Sequence, residues 1–410
     1  MRIRMILLGL IMATTGCYAQ LTLQECRQKA HDNYPLIKQY DLVERLRDYN
    51  IANASTANLP QVSVTGLATY HTDMIKGNIA SAVDTKNHLY GGMLQVSQSV
   101  YDGGAVSSRK KITNADANVS SEQLNVSMYD VNSRVDQMFF GTLLLDEQIK
   151  QNKLLQEDLA LSRKNIDAMM KNGIANQSDI DAIKVEQLNA EQQMKSMIEQ
   201  RHSYIMMLGI FIDEKIDDSI TFSRPSGDMP ESMEVKRPEM KLFDARTILL
   251  NEREKALDVN LKPKFGLFVS GLMGNTGLDM INKSMLMAGA KLTWNIGGLY
   301  TRKNDKRQIE ANRQQIESNR QTFLFNTRLQ TVGETSVIDD LKEKINTDDA
   351  IVILRTNIRS KAERKVENGT LTINEMLRQI NAESEAKQAK ALHEIQLLKE
   401  IYQLKNIGNY

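Results

Sequence analysis

Cysteine, proline, aromatic residues and long apolar runs are all scarce in this 410-residue sequence. The two cysteines are Cys17 and Cys26. The first lies in an N-terminal leader, so the processed chain keeps one thiol and can form no internal disulfide. The six prolines are residues 35, 60, 225, 230, 238 and 263. None falls within 105–172 or 299–368, so nothing in those spans forces a helix to break. Each span has a single interior glycine, Gly141 and Gly333. Aromatics make up 5% of residues. No stretch after the leader reaches 18 consecutive apolar residues, which excludes a membrane-spanning helix. Neither charge sign dominates, with 52 basic and 51 acidic residues. That balance argues against a general nucleic-acid surface. What is plentiful is Met, Ala, Leu, Gln, Glu and Lys, the residues of long helices.

The leader has the pattern of a secretory signal over residues 1–19. Arg2 and Arg4 precede the apolar run Met5 to Ala13, and Cys17-Tyr18-Ala19 puts small residues before a cut at Gln20. Acylation at Cys17 is the alternative to cleavage after Ala19, but Thr14-Thr15-Gly16 has Thr where a lipoprotein signal usually has Leu. An exported chain with no spanning helix belongs to the periplasm, the cell exterior or an outer-membrane barrel.

The chain reads as a duplication. Pro35 and Pro60 stand 25 apart, as do Pro238 and Pro263. LPQVSV (59–64) aligns with KPKFGL (262–267), and Gly103-Gly104 with Gly297-Gly298 at a spacing of 194. KNGIANQSDID (171–181) aligns with ENGTLTINEML (367–377). The expected organisation is a first repeat over 20–212, a polar linker over 213–236 and a second repeat over 237–410. The proline-poor spans read as single helices of some 60 to 65 residues, about 90–100 Å at 1.5 Å per residue. The alternative is a break at loop-like residues such as Asn346-Thr347-Asp348-Asp349.

Period-two alternation predicts strands at about 61–73, 89–101, 264–274 and 285–296. Val62, Val64, Gly66, Ala68 and Tyr70 alternate with Gln61, Ser63, Thr65, Leu67 and Thr69. Each strand has the length a tilted strand needs to cross a bilayer. Tyr70, Tyr90, Tyr101, Phe265 and Trp294 lie near strand ends, as an interfacial girdle requires. A half-buried sheet in a soluble domain would alternate identically. If these strands lie in lipid, four of them cannot close a barrel, and open edges cannot remain in hydrocarbon. Several copies must then share one barrel. Gly103, Gly104, Gly297 and Gly298 are the expected strand-to-helix exits, where other residues would be strained or would clash. Basic residues Arg109, Lys110, Lys111, Arg302 and Lys303 follow them.

In LTLQECRQKAHDNYPLIKQY (21–40), LPQVSVTG (59–66), SVYDGG (99–104), NGIANQSDID (172–181), RPEM (237–240), NIGG (295–298) and NGTLTINEML (368–377), taken in order, the chain resembles the TolC family of outer-membrane efflux proteins. The resemblance covers the whole processed chain. It implies a mainly α fold with a β-barrel portion, built of duplicated helix–β-hairpin–long-helix repeats. Three copies would form a twelve-stranded outer-membrane barrel continued by an α-helical periplasmic tunnel. The implied function is the passive channel of a tripartite efflux pump or type I secretion system, exporting drugs, metals or polypeptides. Implied partners are two further copies, a periplasmic adaptor (membrane fusion) protein, an inner-membrane RND or ABC pump and outer-membrane lipid. The turns at Asn172-Gly173 and Asn368-Gly369 would contact the adaptor. Tunnel-entrance charges would fall at Glu375 and Asp179. The position of a second acid is Arg378, and Leu371 stands where the best-known members carry an Arg in a polar lock. Glu375 has two readings: a threefold ring of like charges attracting cations, or a first-turn acid favouring its helix dipole.

Catalytic patterns are missing. His31, His71, His88, His202 and His393 are isolated in sequence, without ligand spacing. GLMGNTG (271–277) follows a strand but opens no helix and lacks Lys-Ser/Thr, so it reads as a hairpin tip rather than a phosphate loop. Met169-Met170 and Met206-Met207 read as packing filler rather than copper ligands. No enzyme, cofactor, metal or nucleic-acid role is expected. Two other classes stand beside the channel: a periplasmic adaptor or scaffold with a helical hairpin, and a secreted filament subunit.

Overall fold

The computed structural model describes residues 20–70, 88–173, 175–275 and 284–410. The leader, Cys17, His71 and the outer ends of both expected hairpins lie outside the described residues. In chain order the elements are β1 (Gln20–Leu21), α1 (Leu23–Asn33), α2 (Lys38–Thr56), β2 (Gln61–Tyr70), β3 (His88–Tyr101), α3 (Ala105–Lys171) and α4 (Gln177–Ile212). There follow β4 (Thr221–Phe222), α5 (Pro238–Asn260), β5 (Lys264–Asn275), β6 (Met285–Thr293), α6 (Gly298–Glu367) and α7 (Ile373–Gly408).

The two proline-free spans are single helices of 67 and 70 residues. The loop-like stretch at 346–349 does not interrupt α6. Thr347 bonds back to the Glu343 carbonyl at 3.0 Å, and Asp348 faces His393 Nδ1 at 2.6 Å. Polar side chains that favour turns when exposed are here spent along a helix and across to α7.

The chain divides into two compact units. The helical unit comprises residues up to 37, 127–237 and 324–410; the sheet unit comprises 38–126 and 238–323. The helical unit opens with a capping box, in which Thr22 accepts from Glu25 N and the Glu25 carboxylate accepts from Thr22 N. Its core joins Cys26 and Ala30 of α1, Val135, Phe139 and Phe140 of α3, Ile205 and Leu208 of α4, and Leu398 of α7. Phe222 meets Phe139 edge-on at 5.3 Å. The expected linker is therefore not only linker, because β4 within it pairs in parallel with β1. Arg27 of α1 donates from Nε to Asp136 of α3 at 2.7 Å. Cys26 is fully buried, and that burial pushes its thiol pKa up to about 12.

In the sheet unit β2, β3, β5 and β6 form one antiparallel sheet in that order. Helices flank its base through polar ties. Tyr40 of α2 donates to Asn125 of α3 at 2.6 Å, and Arg313 of α6 to Glu254 of α5 at 3.1 Å.

Candidate conduit elements: the open sheet and the helical turns

Register decides which side chains share a face of the sheet. Val64 pairs with Leu94, Leu94 with Gly271, and Gly271 with Leu286. Val62, Val96, Val269 and Ala288 form the next row in the same way. Because side chains alternate, these rows put Val62, Val64, Leu94, Val96, Val269 and Leu286 on one face, while Leu67, Met93, Phe268, Leu272, Met285 and Met287 fall among polar residues on the other. That face is exposed; Val64 and Leu286 are each 78% accessible. Gln98 is the polar interruption on β3, and its amide reaches the Asn58 carbonyl at 2.5 Å. Tyr70, Tyr90, Tyr101, Phe265 and Trp294 are all exposed near strand ends. Trp294 donates to the Leu261 carbonyl at 2.9 Å, and Tyr101 lies 6.3 Å from Phe265. The outer edges of β2 and β6 pair with no strand among the described residues.

The two glycine exits differ physically. Gly103 and Gly104 have φ of 73° and 91°, the left-handed region. A Cβ on Gly103 would also meet Lys262 Cβ at 2.9 Å. Asp102 closes this exit by accepting from Gly104 N and Val106 N, both at 2.7 Å. Gly297 and Gly298 are not left-handed. Gly298 matters through space, since its Cβ would meet Leu261 Cδ2 at 3.0 Å, while Gly297 has only Asn295 Oδ1 at 3.4 Å. At the second exit the constraint is thus a clash at Gly298 rather than a left-handed backbone, and with Ile296 in place of the Asp backbone turns do the closing.

The helical turns are built alike. Gly173 and Gly369 are left-handed, with φ of 76° and 66°. Gly369 N donates to Val366 O at 2.9 Å and Thr370 N to Lys365 O at 2.8 Å, which ends α6 in a Schellman motif. Asn172 N and Gly173 N close α3 onto Met169 and Met170. Asn176 and Asp179 then form a capping box for α4. Thr372 caps α7 by accepting from Glu375 N at 3.3 Å. Asp179 and Glu375 therefore occupy the same third position of their helices. Each has the first-turn seat that the dipole favours. Glu375 also accepts from Gln379 at 3.0 Å and Arg378 at 3.3 Å.

Beneath the turns lies a core of Leu159, Ile166, Ile180, Ile183, Ile373, Met376 and Ile380, with Leu371 packed against it. Leu371 serves as apolar filling. Sequence reasoning missed the polar cluster above this core. Arg359 of α6 binds Asp158 of α3 at 2.6 Å, Glu383 of α7 at 2.9 Å and Glu363 at 2.9 Å. Thr356 and Lys387 complete the shell of Glu383 at 2.7 and 2.8 Å. Burial pushes the Glu383 carboxyl up, but the bonds from Lys387, Thr356 and Arg359 outweigh it and hold the pKa below its ordinary value. No spacing rule links 158, 359 and 383, and nothing in the sequence around Arg359 marks its partners.

A cavity of about 620 Å³ in the same unit is lined by residues including Asp136, Arg237, Glu334, Lys399 and Asn406. Burial, then the neighbouring Glu400, pushes the Glu334 pKa up to about 7. Gln403 donates to Glu334 at 3.1 Å. The histidines have polar partners that the sequence did not specify. His31, His202 and His393 each face one carboxylate, Asp32, Asp218 and Asp348. Among the described residues no group of three or more potential ligands gathers. Of the methionine pairs, only Met169 packs on the core; Met170, Met206 and Met207 are exposed. GLMGNTG is the end of β5 as far as Asn275, with residues 276 and 277 outside the described residues.

No protein-family model matches the sequence, and no curated protein does. Solved structures do. CusC, described as forming a transmembrane channel, superposes with a TM-score of 0.70 at 13% identity, covering 94% of this chain and 92% of that one. The outer membrane protein VceC of Vibrio cholerae gives 0.68 at 11% identity, over 94% and 96%. The open-state outer membrane channel MtrE of Neisseria gonorrhoeae gives 0.66 at 12%, over 94% and 88%. The chain therefore has the fold of bacterial outer-membrane channels, the fold that its TolC-like motifs implied.

Proposed function

We propose that this chain is an outer-membrane channel, a passive export conduit rather than an enzyme. The observation that carries the reading is the sheet: an exposed apolar face running across four strands, bounded by two edges that pair with no strand among the described residues. In water that face would cost about 25 cal/mol per Å² of apolar area. In lipid the edges would leave backbone groups unsatisfied, at several kcal/mol each. Both costs vanish when copies pair edge to edge with the apolar face outward. Two copies make eight strands, which fill their own interior; three make twelve and leave a lumen. A homotrimer in the outer membrane is accordingly favoured, with residues 1–19 as its export signal. Its helices form a periplasmic tunnel, and the protein arose by duplication of a half covering 20–212 and 237–410.

The turns at Asn172-Gly173 and Asn368-Gly369 are the proposed docking points for a periplasmic adaptor, itself joined to an inner-membrane RND or ABC pump. Glu375 and Asp179 would line the tunnel mouth, with Arg378 tempering their charge. Leu371 leaves no arginine lock there, and the Arg359 cluster is the alternative tie between helices. Cargo would be drugs, metals or secreted polypeptides.

The test is fractionation followed by electrophoresis with and without boiling, then conductance in planar bilayers. The expected result is a heat-labile oligomer in the outer-membrane fraction that conducts ions. A monomeric, water-soluble processed chain with no affinity for detergent would overturn the proposal.

A further inference from the structure

The basic runs after the glycine exits have no role in the reading above, and neither does the second face of the sheet. That face is mixed: Gln61, Ser63, Thr65, Gln95, Ser97 and Ser270 share it with Leu67, Met93, Phe268, Leu272, Met285 and Met287. Its charged members among the described residues are both lysines, Lys264 and Lys291. Lys264 pairs with Thr293, and Gly266 with Lys291. The two lysines are therefore diagonal neighbours on one face, about 7 Å apart. Both are exposed, and neither forms an ion pair within the chain among the described residues. Like charges this close on a sheet repel, and among the described residues no acid on that face offsets them. Asp102 lies in the field of Lys264, but its carboxylate is committed to the Gly104 and Val106 amides.

The charge continues off the sheet. A cavity of about 440 Å³ is lined by Lys262, Lys264, Thr293, Asn295, Thr301 and Arg302, with Asp305 as its one acid. Asp258 fixes the Arg302 guanidinium at 2.6 Å and is itself shared with Lys306 at 3.5 Å. The α6 N-terminus, beginning at Gly298, adds the positive end of its dipole to the same cavity. Asp258 answers Arg302 and Lys306, which leaves Lys262, Lys264 and Lys291 without a bonded acid among the described residues. A solute carrying several negative charges would supply one.

We infer that the polar face of the sheet holds an anion-selecting station at its helix-proximal end, formed by Lys264 and Lys291 with Lys262 and Arg302 beside them. The inference rests on the channel reading, which turns this face toward the lumen. There, each of three copies would contribute its lysine pair to one ring, and a ring of like charge concentrates counter-ions. The solutes favoured are small polyanions bearing phosphate, sulfonate or several carboxylates. Ordinary monovalent anions would pass with weaker attraction.

The probe is pyranine, a trisulfonated fluorescent dye, applied to the detergent-purified oligomer at low ionic strength. The wild-type protein is expected to bind it and to show dye-dependent block of ion conduction, both weakened by added salt. The double variant Lys264→Gln/Lys291→Gln should lose about tenfold or more in apparent affinity. Lys264→Arg/Lys291→Arg should retain binding, which separates charge from packing. Lys344→Gln, whose lysine pairs with Asp340 on α6, should behave as wild type. Equal binding by wild type and the double glutamine variant overturns the station, as does a conducting wild-type protein that ignores the dye. A protein that binds dye through these lysines but never conducts keeps the anion site and overturns the channel instead.

Discussion

The sheet and the helical turns treat apolar side chains in opposite ways. At the turns Ile183 and Ile380 are buried, and even Leu371, beside a surface turn, is drawn onto the core. On the sheet Val62, Val64, Leu94 and Leu286 stand exposed in register. Residue chemistry is the same in both places. The difference is that the core beneath the turns finds its partners within one chain, whereas the apolar face of the sheet has none among the described residues. A surface of that kind is made for surroundings other than water.

The largest effect expected from breaking this contrast is at the turns. Ile183→Ala or Ile380→Ala should cost about 2–5 kcal/mol, read as a lowered midpoint in urea unfolding of the purified protein. Next comes the apolar face. Val64→Arg should cost about 2–4 kcal/mol in a bilayer and deplete the heat-labile oligomer. Thr65→Arg, one residue along and on the other face, should stay within about 0.5 kcal/mol. Equal yields of oligomer from these two variants would erase the distinction between the faces.

A smaller effect sharpens the comparison between the two exits. Gly103→Ala must place a side chain in the left-handed region and against Lys262, costing about 1–2 kcal/mol. Gly297→Ala meets neither obstacle and should leave thermal unfolding unchanged. The smallest effect is a slope. Glu334 keeps a proton up to a pKa of about 7 in the folded chain, while an ordinary Glu loses it near 4.5. The folded state then binds more protons than the unfolded state between those values, so stability falls as pH rises through that window. Glu334→Gln should flatten that fall in melts recorded from pH 4.5 to 8 and raise the melting temperature most above pH 7.

Much of this was legible because the signals are local. Missing prolines marked the long helices, alternation marked the strands, and Asn-Gly marked the turns. Local signals could not say which glycines are left-handed. The sequence Gly-Gly is the same at both exits, and it is Asp102, absent from the second exit where Ile296 stands, that accepts the two amides closing the first. Nor could they find Arg359 with Asp158 and Glu383, since only folding brings α3 to the α6–α7 pair, with Asp158 and Arg359 201 positions apart. Glu375 shows a third kind of gap. Its seat in the first turn of α7 is written in Thr372-x-x-Glu375, but one chain satisfies the dipole whether or not three chains make a mouth.

Cys26 carries a practical consequence. Sealed in the core and held as a thiol, it should stay silent toward maleimides while the processed chain is folded. Any cysteine introduced on β2 or β6 would then be the lone reactive sulfur. Disulfide trapping between engineered edges could read which strands of neighbouring copies lie side by side, without first removing a native residue.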